Sequence, residues 1–365
     1  MFNRRLAAAL GSIALVLAAC TGTGGGSEEL DASAAASQGG GDSDCTVGVS
    51  WNNYQEERWA LWDEPAIKDA LEAAGAEYVS NDAASSAETQ ASNVENLIAD
   101  GADVLIILAQ DGTAILPSVE SAISQGVPVI AYDRLIEDPE ALYITFDNVG
   151  VGRLQAEVIY DLVPSGKYVI IKGNSADANA DFLRAGYEEV IGDAVASGDI
   201  EIVGETYTDN WDPSIAQDHM EQFLTDNDND VDAVLSENDG MAGGVVSALE
   251  AQGLAGDIPV SGQDGDQAAL NRVALGTQSV SVWKDARELG TAAAEAAIQL
   301  CENPDITAVE GTGTFDSPGG NAMTSILLEP IPITQENLSV VLDAGWIDEA
   351  TLCQGVESGS VDGCP

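Results

Sequence analysis

Seven short stretches rich in polar and aromatic residues in this chain fall at the ends of β-rich runs. They are Trp51-Asn52-Asn53-Tyr54-Gln55-Glu56-Glu57-Arg58-Trp59, Tyr132-Asp133-Arg134, Gly173-Asn174-Ser175-Ala176-Asp177-Ala178-Asn179, Asp209-Asn210-Trp211, Ser236-Glu237-Asn238-Asp239, Gly262-Gln263-Asp264 and Val282-Trp283-Lys284. Asp, Asn and Arg side chains can each engage two hydroxyls at once. Trp offers a flat apolar face to C–H groups. A few fixed polar groups over aromatic floors is the chemistry of a cleft for a sugar. A single Asp or Asn after a strand is often only a turn former. Seven such positions in one chain point to a common purpose.

The elements that must position these stretches alternate. β-rich runs fall at 46–50, 77–80, 104–108, 127–131 and 143–146, and the spacing predicts helices over 57–74, 87–100 and 115–125. Gly75, Gly101 and Gly126 stop those helices. The fully apolar run Val104–Leu108 reads as a strand buried on both faces of a parallel sheet. The pattern then restarts, with helices over 151–162, 180–196, 213–224, 241–252 and 286–300. Its strands fall at 167–172, 201–205, 233–236, 259–262, 279–282 and 325–328. Two successive α/β units predict two doubly wound, Rossmann-like lobes. Ligands of such sheets bind beyond the carboxyl ends of the strands. The polar stretches lie there, so the two lobes would share a cleft.

Composition narrows the function. The chain has 365 residues, 45% of them apolar, enough for a sizeable core and about two domains. Twelve basic against 62 acidic residues give a net charge of −50, which repels phosphate backbones and argues against a nucleic-acid partner. One histidine, His219, argues against a His-rich metal site and against Ser-His-Asp catalysis. There is no nucleophile elbow, P-loop or zinc motif. A retaining glycosidase needs two carboxylates about 5 Å apart, and Asp133 and Asp264 are a pair that could face each other. The acidic run Asp226-Asn227-Asp228-Asn229-Asp230 starts like a calcium loop but lacks the Gly and Glu that such a loop uses later. It reads as a solvated turn, and neither metal nor cofactor is expected.

The N-terminus points to export. Residues 1–19 read as a signal peptide, with Arg4 and Arg5 ahead of an apolar, Ala-rich run. The run ends in Leu17-Ala18-Ala19-Cys20, which looks like a bacterial lipobox. Cys20 would then carry lipid and hold the protein on the outer face of the membrane without spanning it. Residues 20–44 read as the acylated cysteine and a Gly/Ser-rich tether. Cys45, Cys301, Cys353 and Cys364 remain, an even number that suggests two disulfides in an oxidising compartment. Three pairings are possible.

Further motifs run along nearly the whole body. They include Glu57-Arg58-Trp59, Glu88-Thr89-Gln90, Ala131-Tyr132-Asp133-Arg134, Phe146-Asp147-Asn148, Leu183-Arg184-Ala185-Gly186, Ser261-Gly262-Gln263-Asp264, Gly276-Thr277-Gln278 and Ala344-Gly345-Trp346-Ile347. On these the chain resembles the periplasmic sugar-binding proteins of ABC transporters, the ribose/galactose/xylose class, and within it the xylose-type subgroup.

The resemblance implies a type I periplasmic-binding-protein fold, two lobes on a three-segment hinge that closes over a monosaccharide. It implies crossovers near Asn148, Lys284 and Thr314. The first lobe would be 45–148 plus 285–313, and the second 149–284 plus 314–365. It implies sugar contacts from Arg58, Trp59, Asp133 and Arg134 in the first lobe. Asn179, Trp211, Asn238 and Asp264 would answer from the second, with Lys284 at a crossover. D-xylose is the first expected sugar. Glucose, arabinose, ribose or galactose, with a role in chemotaxis or sensing, is the alternative. The expected partners are that sugar and a permease with its ATPase, served by a monomer.

Overall fold

The computed structural model describes residues 45–365. The signal reading of 1–19, the lipidation of Cys20 and the tether of 20–44 lie outside the described residues.

The first lobe begins with β1 (Thr46–Trp51), α1 (Glu64–Ala73), β2 (Glu77–Asp82), α2 (Ala87–Ala99), β3 (Val104–Ile107), α3 (Leu116–Ser124), β4 (Val129–Tyr132) and β5 (Leu142–Phe146). The second takes α4 (Asn148–Leu162), β6 (Gly166–Lys172), α5 (Ala178–Ser197), β7 (Ile200–Tyr207), α6 (Pro213–Asp226), β8 (Ala233–Ser236), α7 (Asp239–Gln252), α8 (Gln267–Leu275) and β9 (Ser281–Trp283). The chain returns to the first lobe for α9 (Ala286–Glu302), β10 (Gly313–Asp316) and β11 (Ala322–Leu328). It ends in the second with β12 (Ile331–Ile333), α10 (Ser339–Asp343) and α11 (Glu349–Leu352).

The first-lobe sheet runs β10-β11-β5-β4-β3-β1-β2, parallel except where β10 meets β11. Its central strands β3, β4 and β5 are covered on both faces and buried throughout, so they are apolar with little alternation. Val104 and Ile106 of β3 enter the core beneath α1 and α9, while Leu105 and Ile107 enter the core beneath α2 and α3.

The second-lobe sheet has the order β7-β6-β8. Residues 259–264 extend it without forming a regular strand, contrary to the sequence reading of 259–262. Val234 N–H donates to Pro259 O at 2.9 Å, Ser261 N–H to Val234 O at 3.1 Å and Val282 N–H to Gly262 O at 2.9 Å. Pro259 has no N–H to offer a ladder, and the segment is joined only by isolated bridges. Between α4 and α5 the backbones nearly touch. A Cβ at Gly152 would stand 2.1 Å from Leu183 O, and one at Gly186 2.2 Å from Val149 O.

The lobe boundary drawn at Thr314 is corrected. Ser325–Leu328 of β11 pair in parallel with Tyr143–Phe146 of β5. Residues 314–328 therefore belong to the first lobe, and the last crossing lies between Leu328 and Ile331. Polar and exposed residues in β10 hid this edge hairpin from the apolar pattern.

Cys45 pairs with Cys301, tying the start of β1 to the end of α9. Cys353 pairs with Cys364 beside α11. No described helix is long and apolar enough to cross a membrane.

Candidate functional site

The strand ends of the two lobes face each other across one small cavity. Arg58, Trp59, Asp133, Arg134, Asn179, Trp211, Asn238, Asp264 and Lys284 all line it. Glu56, Asp177 and Gln263 line it too. These three stood inside the polar stretches but were not singled out, because nothing in the spacing separates them from ordinary turn residues. A larger groove lined by Ile123, Pro128, Pro139 and Ile306 lies elsewhere on the first lobe and lacks such convergent polar groups.

Arg58 is the best-anchored member. The chain forms a π turn over Trp59–Asp63 immediately after it. Residues five apart are not neighbours on an α-helix, but the wider π turn brings Asp63 back beneath Arg58. Arg58 Nε donates to Asp63 Oδ2 at 3.0 Å and Nη2 to Asp63 Oδ1 at 2.7 Å. The remaining nitrogen, Nη1, reaches Asp133 Oδ2 at 3.1 Å and Asp264 Oδ1 at 3.5 Å. Tyr132 Oη donates to Asp63 Oδ1 at 2.5 Å from below. Burial works against the Arg58 charge, but Asp63, Asp133 and Asp264 outweigh it and hold the guanidinium above its ordinary range. Burial likewise pushes the Asp63 carboxyl up, and Arg58 offsets only part of that. Asp63 was invisible as a support of the site because the π turn that uses it has no sequence signature, and Tyr132, although inside the Tyr132-Asp133-Arg134 stretch, was not singled out.

Asp133 and Arg134 are neighbours that do not pair with each other. Asp133 has a left-handed φ of 61° and turns its carboxylate to Arg58. Its carbonyl accepts from Thr145 Oγ1 at 2.7 Å and from Asn179 Nδ2 at 3.2 Å. Burial raises the Asp133 carboxyl, yet Arg58, Lys284 and Arg134 together hold it below the usual carboxylate range. Arg134 Nη2 donates to Glu56 Oε1 at 2.8 Å, and Nη1 to Ala109 O at 3.2 Å. Its Nε lies 2.9 Å from Asp177 Oδ2 as an ion pair, without a well-aimed hydrogen bond. Arg134 thus joins a first-lobe to a second-lobe carboxylate.

In the second lobe the groups sit on helix starts. Asp177 caps α5 through Asn179 N–H and accepts from Trp211 Nε1 at 3.2 Å. Asn238 caps α7 by accepting from Met241 N–H at 2.9 Å. Asp264, at φ 100°, forms an ion pair with Lys284 Nζ at 2.9 Å. The turn after it is held by Asp239 Oδ2, which accepts from Gly265 and Asp266 N–H at 3.0 Å each.

The charge arrangement narrows the chemistry. Arg58, Arg134 and Lys284 face Glu56, Asp63, Asp133, Asp177 and Asp264, and each of these cations already has a carboxylate partner. Three cations against five carboxylates offer no surplus positive charge to a phosphate or carboxylate ligand. Asp133 and Asp264 do face each other, but across Arg58 Nη1. A general acid needs a raised carboxyl, and Asp133 is held low. Among the described residues no group of three or more His, Cys, Asp and Glu is placed to hold a metal.

Comparison with known proteins follows the same line. Residues 47–305 match the family described as periplasmic binding protein domain. The chain is 39% identical to a D-xylose-binding periplasmic protein of Escherichia coli, over 84% of this chain and 92% of that one. It is 33% identical to a multiple sugar-binding periplasmic receptor of Rhizobium radiobacter, covering 82% and 90%. An ABC transporter solute-binding protein of Clostridium phytofermentans, solved with bound β-D-glucose, superimposes with a TM-score of 0.76 at 29% identity, covering 84% and 99%. Two α/β lobes meeting at their strand ends, and a sequence match across most of the body, lead to one assignment: the chain belongs to the periplasmic binding protein family.

Proposed function

We propose that this protein is the extracytoplasmic, lipid-anchored binding component of an ABC sugar importer, and that D-xylose is its first ligand. The ligand sits between the lobes, held by Arg58, Asp133, Arg134, Asn179, Asn238, Asp264 and Lys284, with Trp59 and Trp211 as apolar floors. One observation carries the reading: a small cavity drawn from both lobes has many fixed donors and acceptors, and its cations are already neutralised. That suits a neutral polyhydroxylated ring better than a charged metabolite. The protein performs no chemistry. A ligand that touches both lobes only when they are closed shifts the population toward closure, and the closed form is the one a permease would receive.

Titration calorimetry against D-xylose, D-glucose, L-arabinose, D-ribose, D-galactose and xylose 5-phosphate tests this. One site per chain, D-xylose tightest and no response to the phosphate is the expected result. A response confined to phosphorylated sugars, amino acids or peptides overturns it. Glucose is the second reading, favoured by the glucose-bound structural relative. The anchor has its own test: Cys20→Ser should release the protein from membranes or leave it unprocessed, and unchanged attachment and gel mobility reject the lipobox reading.

A further inference from the structure

Trp211 lies between two residues that each hold a side chain from the opposite lobe. Asn210 Oδ1 accepts from Gln110 Nε2 at 2.8 Å, and Asp212 Oδ2 accepts from Gln55 Nε2 at 3.0 Å. Neither glutamine lines the cavity. Gln110 is pre-set on the first lobe. Its N–H donates to Gln90 Oε1 at 2.7 Å, and Gln90 Nε2 donates to Leu108 O at 2.7 Å. Gln55 is held by its own N–H, which donates to Asn53 Oδ1 at 2.8 Å. The turn they reach is unusual, since Asn210 and Trp211 both have left-handed φ, 54° and 56°. Non-glycine residues persist there only where the surroundings over-determine them.

We propose that Gln110 and Gln55 are positioning residues for Trp211, forming a clasp across the lobe boundary that sets how long the closed state lasts. The inference rests on the sugar-site reading above. Both bonds join opposite lobes, so they form on closure and break on opening. They should therefore act on release of the ligand and not on its capture.

Stopped-flow tryptophan fluorescence with D-xylose tests the clasp. One neutral hydrogen bond is worth about a 3- to 10-fold change in an equilibrium constant. Gln110→Met and Gln55→Ala should each raise the off-rate by about that factor, with on-rates within about twofold of wild type. The Gln110→Met/Asn210→Gly double variant should show non-additive losses, because both changes remove the same bond. Gln55 is exposed on the rim, so Gln55→Ala carries the test if a change at buried Gln110 impairs folding. Off-rates unchanged in both glutamine variants overturn the clasp, as does a loss confined to the on-rate or to the amount of folded protein. Failure of the wild type to bind D-xylose, with another monosaccharide bound instead, moves the same test to that sugar. Binding of no sugar at all removes the parent reading.

Discussion

The indole of Trp211 lies against the backbone of Gly173, so close that a Cβ at position 173 would stand 2.2 Å from the ring. Gly173 N–H in turn donates to the buried Glu237 Oε2 at 2.6 Å, which fixes the strand end beneath the indole. Glycine at 173 is a condition for this placement of the indole.

Gly173→Ala should therefore displace Trp211 while leaving the lobes folded. Overpacking of this kind costs about 1–3 kcal/mol. Sugar affinity should drop at least about tenfold if the indole is a floor of the site. Titration and a melt on the same variant check both effects, and unchanged affinity removes Trp211 from the ligand contacts.

Arg134 joins Glu56 of the first lobe to Asp177 of the second. Arg134→Ala strands two buried carboxylates, a change worth about 3–5 kcal/mol. On the sugar-site reading it also deletes donors to the ligand, and a charged hydrogen bond is worth about 1.5–3 kcal/mol. The melting temperature of the sugar-free protein should fall, and affinity should fall about 30- to 1000-fold. Affinity within threefold of wild type would take Arg134 out of the site and leave it as a strut.

Asp133 sets a pH expectation. Its carboxyl is held below the ordinary range, with the cations outweighing burial. A depressed folded-state pKa contributes stability above the unfolded value of about 3.9, lost only as pH falls through the lower folded value. The Asp133 contribution to affinity should thus stay flat from pH 8 to pH 5, and wild type and Asp133→Asn should show the same profile over that window in calorimetry. A change shared by both belongs to Asp63, Asp177 and Asp239, which burial raises, the last to about 7. A decline present in wild type and absent in Asp133→Asn would mean that Asp133 is not the ionised acceptor.

The two disulfides close loops of very different size, with sequence separations of 256 and 11. In the chain-entropy account the larger is worth about 5.5 kcal/mol and the smaller about 3. Cys45→Ser should lower the urea midpoint more than Cys353→Ser. The reverse order would place the main staple in the C-terminal turn.

Sequence alone determined the α/β alternation and the positions of the groups that line the cavity between the lobes. Buried parallel strands are apolar runs such as Val104–Leu108, and the chain must turn after each one, so Asp133 and Asn238 announce themselves by following such runs. Tertiary structure decided what local pattern cannot carry. The pairing of Cys45 with Cys301 depends on α9 returning to the first lobe. The membership of β11 depends on its pairing with β5, a contact between segments some 180 residues apart. The bond between Arg58 and Asp63 depends on a π turn that no residue spacing announces. Periodicity reports which side of an element is buried. Which distant element lies against that side is set by packing, and there the lobe boundary and the supports of the site were decided.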